Sequence, residues 1–301
     1  MAKFSLLGRN LRYGFEYLII WIFLSIFRRL SLDAASSAGG WLAELIGPKL
    51  GKHSIAKSNI AMIFPEWSER EINIVLKGMW NNLGRVFGEY SHLNNIECDS
   101  PNPRIELLGR EHVQKLNGDN VGAILISGHM GNWELLSSVS AECGLPLLNL
   151  YRSANNPYVE KLLINMRTEM GGSQHPKSIG GVRALIKGLE NRDHVGMLID
   201  QKYNEGVLVP FLGQDAMTTD APAALAMRFK VPIVPARVER VSGAYFRVTV
   251  LPPMLVPDTG DIEADKRRLT EDINKLFSDW IFDRPEQWLW LHRRWPLEAV
   301  E

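Results

Sequence analysis

Short apolar runs alternate with segments of helical periodicity over most of this chain, from about residue 103 onward. The apolar runs predict strands, and apolar residues at every third or fourth position predict helices. Strands that alternate with helices predict an α/β fold, with a mixed, mostly parallel sheet flanked by helices. The predicted strands are 121–127, 146–151, 194–200, 207–211, 232–240 and 245–251, and the predicted helices are 132–143, 157–170, 180–191, 219–230 and 263–283.

The stretch before this alternating region predicts helices over residues 31–100. It is broken at Pro65, and Ser68 with Glu71 has the spacing of a capping box at the start of the next helix. No linker rich in Gly, Pro or Ser divides the body of the chain. We therefore interpret residues 31–301 as one domain.

Residues 1–30 are of a different kind. The run YLIIWIFLSIF at 17–27 carries no charge, and Arg28 and Arg29 follow it directly. At about 1.5 Å per residue the run covers only about half of a roughly 30 Å hydrocarbon core. The pattern predicts an N-terminal membrane-anchoring helix, tilted or lying in the interface. A buried core helix and a cleaved signal peptide are the alternatives, although no small-residue cleavage site follows the run directly.

Net charge gives little indication of the partner, and cysteine content gives some indication of the compartment. Lys+Arg and Asp+Glu are both 34, so net charge gives no indication of a nucleic-acid partner, and none is predicted. The two cysteines, Cys98 and Cys143, do not have the spacing of a metal or redox motif. This usage favours a reducing compartment without a disulfide framework.

The stretch GHMGNWE at 128–134 carries the candidate chemistry. His129 follows the first predicted strand, and Glu134 falls in or just after the first turn of the next helix. The carboxylate of Glu134 could fix one imidazole nitrogen of His129, leaving the other to accept a proton from a substrate hydroxyl, and the helix N-terminus would help to keep the imidazole neutral. Spacing alone also allows a helix-capping histidine beside a solvated glutamate.

No protein nucleophile accompanies this histidine. Ser127 is not part of a GxSxG turn, and neither cysteine stands beside a base. The pattern therefore favours direct attack by a substrate hydroxyl over a covalent enzyme intermediate. His175, His194 and Asp200 show no recognised metal-ligand spacing, so neither a metal nor another cofactor is predicted.

Several stretches together resemble a known family. His129 and Glu134 resemble the H-x4-D/E motif of the glycerolipid acyltransferase superfamily. Nearly the whole chain resembles the late acyltransferases of lipid A biosynthesis, the lauroyl and myristoyl transferases. The stretches that carry the resemblance are HMGNWE (129–134), YRSANNP (151–157), IDQK (199–202), VPFLGQDAMTTDAPA (209–223) and PEQWLWLHRRW (285–295).

The resemblance implies an enzyme on the cytoplasmic face of the inner membrane. It implies an acyl-carrier-protein thioester as the acyl donor and a hydroxyl of a lipid A precursor as the acceptor. His129 would be the general base, Glu134 its partner carboxylate, and Arg167 a residue that assists catalysis or holds the substrate. Further motif positions, interpreted as substrate-binding, are Asn132, Arg152, Asp200, Gln201 and Lys202.

Three questions remain open in the sequence. Many members read H-F-x-x-x-E where this chain has Met130, Gly131, Asn132 and Trp133, so the acceptor could be a lysophospholipid or a glycolipid. A membrane lipid-binding protein that has lost catalysis is the alternative of another class. The terminal LHRRW (291–295) suits either an interfacial belt or a phosphate-binding site.

Overall fold

A computed structural model describes residues 2–168 and 171–295. The first third of the chain is helical: α1 spans Ala2–Phe27, α2 Leu32–Ile46, α3 Lys52–Ile63 and α4 Glu69–Glu89, with a short 3-10 helix at Tyr90–Asn95. The predicted capping box at the start of α4 is confirmed. The Ser68 hydroxyl accepts from the backbone N–H of Glu71, and the Glu71 carboxylate accepts from the backbone N–H of Ser68.

Helix α1 lies largely outside the packed body. Its stretch Gly8–Phe27 is long and apolar enough to cross a membrane by length and composition, with a mean hydropathy of 1.2, and only 6% of it is buried. The alternative of a buried core helix is therefore wrong. The middle of α1 still contacts the body, because the Asn156 side-chain amide donates to the Tyr13 carbonyl at 2.8 Å and to the Glu16 carboxylate at 3.0 Å.

The remainder of the chain builds the predicted mixed sheet. Seven strands lie in the order β1-β9-β8-β2-β5-β3-β4, and every neighbouring pair is parallel except β8 with β9. A separate antiparallel hairpin is formed by β6 and β7. The strands are β1 Ile105–Leu108, β2 Ala123–Ser127, β3 Leu147–Tyr151, β4 Ser173–Pro176, β5 His194–Leu198, β6 Val207–Phe211, β7 Gln214–Thr218, β8 Ile233–Ser242 and β9 Tyr245–Val250.

Helices flank the sheet and connect its strands. They are α5 Arg110–Gly118, α6 Leu135–Glu142, α7 Pro157–Thr168, α8 Ile179–Glu190, α9 Ala221–Phe229 and α10 Ile262–Asp283. Every predicted helix and strand has a counterpart, with bounds shifted by up to three residues. The prediction omitted β1 and β4 because each has only four residues, and it omitted β7 (QDAMT) and α5 (REHVQKLNG) because their sequences are largely polar. In addition, β1 and β4 are the edge strands, where one side is unpaired and a polar sequence such as SQHP is tolerated.

The centre of the sheet fixes the location of the site. All five residues of β2 are buried, since the strand lies between β8 and β5 and is covered on both faces. Its register with β5 pairs Ala123 with His194 at one end and Ser127 with Leu198 at the other. Residues that follow these two strands therefore leave the sheet side by side at its carboxyl edge, where α/β proteins place their sites.

Candidate active site

His129 and Asp200 form the central pair of the site. Each stands two residues beyond the end of its strand, and β2 and β5 end in register. The backbone therefore brings the two side chains together. His129 Nδ1 lies 2.7 Å from Asp200 Oδ1, and the backbone N–H of His129 donates to Asp200 Oδ2, also at 2.7 Å.

The pair defines which nitrogen of His129 can act as a base. A carboxylate can only accept, so Nδ1 carries the proton and Nε2 presents its lone pair. Nε2 lies 3.2 Å from the side-chain amide nitrogen of Gln201, which donates to it. A substrate hydroxyl would have to replace this amide to reach the base. Gln201, predicted as substrate-binding, is thus placed at the position where a reacting hydroxyl would bind.

The carboxylate of Asp200 is buried and stays ionised. Burial alone would raise its pKa, but the positive charge and hydrogen bonds of His129 and the indole N–H of Trp288 lower the pKa to about 2. The Trp288 donor lies 2.7 Å from Oδ2. Only 2% of the Asp200 side chain is exposed, and both of its carboxylate oxygens accept hydrogen bonds from the protein. Its contact with substrate stays a prediction.

His129 has a raised pKa. Burial favours the neutral imidazole, but the charge of Asp200, its hydrogen bond to Nδ1 and the charge of Glu134 outweigh burial. The predicted effect of a helix N-terminus is wrong because α6 begins at Leu135, several residues later than predicted. The surrounding carboxylates, not a helix dipole, raise the pKa of this imidazole.

Glu134 does not hold His129 in the predicted way. Its carboxylate accepts two hydrogen bonds from Arg167, from Nη2 at 2.9 Å and from Nε at 3.3 Å. Both side chains are largely buried, and the Arg167 guanidinium lies 5.6 Å from the centre of the Tyr151 ring. The predicted pairing of Glu134 with His129 is corrected to two pairs, His129 with Asp200 and Glu134 with Arg167.

Gly131 and Asn132, which lie between His129 and Glu134 in the motif, make contacts within the protein. Gly131 has φ +54°, and a Cβ atom there would lie 2.5 Å from the Val238 carbonyl oxygen of β8, so the turn requires glycine. Asn132 is fully buried, and its amide donates to Glu89 at 2.8 Å. The predicted substrate contact of Asn132 stays a prediction, and in this structure its side chain contacts protein. The asparagine belongs to a buried network in which Glu89 is paired with Arg240.

The exposed cations of the predicted site are Arg152 and Lys202. Arg152 follows the carboxyl end of β3, and Lys202 follows Gln201 on the loop after β5. Both side chains face solvent at the carboxyl edge of the sheet. This location is compatible with their predicted contact with substrate.

The terminal stretch PEQWLWLHRRW belongs to the interior. Trp288, Trp290 and Trp295 are buried, so they do not form an interfacial belt. Arg294 is also fully buried, and it donates to the Met217 carbonyl and the Thr218 hydroxyl. Burial lowers the pKa of Arg294 to about 10. A phosphate contact by Arg294 is excluded by this burial, whereas Arg293 is exposed.

The candidate metal ligands do not come together. His194 begins β5 and Asp200 follows its opposite end, so the length of a five-residue strand, roughly 17 Å, separates them. His175 lies on the edge strand β4. Among the described residues, one group of carboxylates and a thiol has the spacing of a cation site, Cys98 with Asp99 and Glu142, and it lies apart from His129.

The sequence did not predict the contact of Asp200 with His129 or that of Trp288 with Asp200. Asp200 is 71 residues from His129, and Trp288 is 88 residues from Asp200. A usable signal was present for Asp200, because a carboxylate just after a predicted central strand of a parallel sheet lies at the same edge as a histidine just after its neighbour. For Trp288 no local pattern gives its contact.

Known proteins that are similar to this chain are acyltransferases of lipid A biosynthesis. Residues 1–296 match a family model described as bacterial lipid A biosynthesis acyltransferase. Similar curated proteins include a lipid A biosynthesis lauroyltransferase of Escherichia coli, 27% identical over 252 residues, covering 80% of this chain and 78% of the relative. A lipid A biosynthesis acyltransferase of Haemophilus influenzae is 23% identical over 286 residues, covering 92% and 87% respectively. A lipid A biosynthesis myristoyltransferase of Escherichia coli is 22% identical over 249 residues, covering 81% and 75%.

The family match covers nearly the whole chain, including α1, the sheet and the terminal tryptophan-rich stretch. It therefore confirms the predicted resemblance and identifies an acyltransferase of lipid A biosynthesis that acts on a lipid acceptor. This chain belongs to the bacterial lipid A biosynthesis acyltransferase family.

Proposed function

We propose that the protein transfers a fatty acyl chain from an acyl-carrier-protein thioester to a hydroxyl of a lipid A precursor. The observation that carries the proposal is the His129–Asp200 pair, which leaves Nε2 of His129 as an acceptor at the carboxyl edge of the sheet. Family membership and the names of the relatives support the acyl and lipid parts of the reaction.

The proposed reaction is one direct displacement. Nε2 of His129 accepts the proton of the acceptor hydroxyl as its oxygen attacks the thioester carbonyl carbon. The tetrahedral intermediate then collapses, the C–S bond breaks, and the imidazolium returns the proton to the leaving thiolate. The products are an ester and a free carrier thiol, and no cofactor takes part. Asp200 holds the reacting tautomer and stabilises the imidazolium formed in between.

Arg167 is the proposed positive group nearest to this chemistry. Glu134 holds its guanidinium by two hydrogen bonds, which fixes the plane of the fork. A fixed guanidinium can face the oxyanion of the intermediate or a phosphate of the acceptor. Glu134 thus contributes to the reaction through Arg167, and its charge also favours the imidazolium of His129.

The exposed cations Arg152 and Lys202, together with Gln201, are the proposed contacts for the acceptor. Arginine binds phosphate through paired hydrogen bonds, so a phosphorylated acceptor suits Arg152. Gln201 would release Nε2 of His129 and donate to the incoming lipid.

The proposed location is the cytoplasmic face of the inner membrane, anchored by residues 1–30. Large apolar side chains on α1 are exposed, including Phe15, Ile19 and Trp21. Leaving these side chains in water is unfavourable, and a bilayer would cover them. A lipid acceptor embedded in that bilayer would reach the site without leaving the membrane.

The test compares acceptors with purified enzyme and acyl-carrier protein charged with a fatty acid. A Kdo-bearing lipid A precursor should be acylated much faster than lysophosphatidic acid. A faster rate with lysophosphatidic acid would contradict the lipid A acceptor and retain the acyltransferase. Absence of thioester consumption with either lipid, and with a glycolipid acceptor, would favour the non-catalytic lipid-binding alternative.

A further inference from the structure

The C-terminal segment Pro285–Trp295 lies directly on the loop that carries His129. The backbone N–H of Leu289 donates to the His129 carbonyl at 3.2 Å, and the backbone N–H of Gly131 donates to the Gln287 carbonyl at 3.2 Å. Met130 and Trp288 form an isolated antiparallel bridge between these two bonds. The segment therefore pairs with the His129 loop like a short extra strand.

Trp288 of this segment reaches the carboxylate of the charged pair with its side chain. Its indole Nε1 donates to Asp200 Oδ2 at 2.7 Å, while the opposite oxygen, Oδ1, accepts from His129 Nδ1. Both carboxylate oxygens are thus fixed, one by the terminal segment and one by the base. The position of the Trp288 indole therefore fixes the plane of the Asp200 carboxylate. The carboxylate in turn fixes the plane of the His129 imidazole.

The indole itself is held rigidly. Trp288 is buried, with the Trp290 ring at 4.7 Å in an edge-to-face arrangement and the Phe211 ring at 5.6 Å. The Arg294 guanidinium lies 4.5 Å from the centre of the Phe211 ring, and its positive charge attracts the Asp200 carboxylate. Packing of this kind leaves one orientation for the Trp288 N–H.

We propose that Trp288 is a positioning residue for the acyl transfer, which holds Asp200 so that His129 presents Nε2 to the acceptor hydroxyl. The inference rests on the proposed function of His129 as general base. It assigns a role to the tryptophan-rich terminal segment that neither an interfacial belt nor a phosphate-binding site describes.

Removing the indole N–H has a predictable electrostatic consequence. Trp288 and His129 share the negative charge of one carboxylate, so loss of one donor leaves more of that charge to the other. The imidazolium of His129 then becomes more stable. The charged and titratable groups facing His129 are Asp200, Glu134 and His292, and all three are retained in the test.

The test uses the full-length protein in detergent and compares Trp288→Phe with Trp80→Phe. Phenylalanine keeps an aromatic ring and removes the donor. Trp80 on α4 is the matched control because it is also buried and donates an indole bond, at 3.1 Å, but to His53 instead of Asp200. The readouts are kcat for acyl transfer and the pKa of His129 from nitrogen NMR of the histidine side chains, assigned with His129→Gln.

We expect Trp288→Phe to lower kcat by about tenfold to a hundredfold, the usual effect of losing a hydrogen bond to a charged group. We also expect it to raise the pKa of His129 by about 0.5. Trp80→Phe should leave both quantities near their native values at a temperature where the variant is folded. An unchanged His129 pKa in Trp288→Phe, or an equal change in Trp80→Phe, overturns the inference.

A second substitution keeps the test decisive if Trp288→Phe does not fold. Benzothienylalanine at position 288 replaces the indole N–H by sulfur and keeps the size and shape of the ring, so it should show the same changes. The NMR readout also separates this inference from the proposed function. If the pKa of His129 shifts as expected in a protein that transfers no acyl group, the positioning holds and the proposed function fails.

Discussion

Arg167 donates from Nε and Nη2 to the two carboxylate oxygens of Glu134, and this bidentate pair fixes the orientation of the guanidinium. The pair is largely buried, with exposed side-chain fractions of 19% and 14%. A buried pair with this geometry behaves as a unit, because removing one partner leaves an uncompensated charge. The site thus contains two such units, Glu134 with Arg167 and Asp200 with His129.

This pairing predicts non-additive effects at Glu134 and Arg167. Glu134→Gln and Arg167→Lys should each lower kcat by about 10²-fold or more, because a lysine cannot reproduce the planar fork and a glutamine leaves the arginine unpaired. The double variant should be little worse than either single variant. Steady-state kinetics of the three proteins provides the measurement. Multiplicative losses would show that Glu134 acts independently of Arg167.

His129→Ala should lower turnover by about 10²–10⁴-fold, the usual effect of losing a general base. Asp200→Asn should cause a loss of similar order. Asparagine has nearly the same volume, but its amide can donate to Nδ1 of His129 and so leave the proton on Nε2, which can then no longer accept one. Circular dichroism checks that both variants are folded. Near-native turnover in either folded variant would contradict the mechanism.

The pH dependence of kcat/KM should show an acid limb above the ordinary histidine value of about 6.5. The base must be neutral to accept a proton, and Asp200 and Glu134 raise the pKa of His129, so the limb moves to higher pH. Glu134→Gln removes one of these negative charges and should move the limb to lower pH. Asp200 and His292, the other titratable groups facing His129, stay in place. A limb that does not move in Glu134→Gln would contradict this origin of the shift.

Direct transfer predicts that neither cysteine is needed. Cys143 caps α6 at the end away from His129, about 12 Å along the helix from its start, and Cys98 donates its thiol to Glu142 at 3.2 Å. The double variant Cys98→Ser, Cys143→Ser should therefore keep turnover close to native. Intact-protein mass spectrometry after incubation with donor alone should show no added acyl mass. A stable acyl-enzyme would contradict direct displacement.

Removal of residues 12–29 should release the protein from membranes, or leave it attached only weakly and in a salt-dependent way. The removed residues include the exposed apolar side chains of α1. As a control that keeps the helix and its contact with Asn156, Ile19→Glu with Ile22→Glu in the full chain should weaken attachment. Sedimentation of membranes in high salt measures both. If the deletion variant stays with the membranes at high salt, another part of the chain anchors the protein.

The sequence by itself determined the layers of this fold and the edge at which its site lies. Apolar runs such as ILIS at 124–127 become strands because burial between helices requires apolar side chains on both faces. The periodic segments become the flanking helices. A histidine directly after the central strand is then located at the carboxyl edge by chain connectivity alone, and the family resemblance adds its acyl chemistry.

Only the tertiary structure decided which side chains His129 meets. Glu134 is its nearest carboxylate along the chain, but the turn at Gly131 and the start of α6 at Leu135 bring Glu134 to Arg167. The register between β2 and β5 delivers Asp200 from 71 residues away, and pairing of the terminal segment with the His129 loop delivers the indole of Trp288. Strand register and the return of a terminal segment depend on contacts between distant parts of the chain, and no local periodicity encodes such contacts.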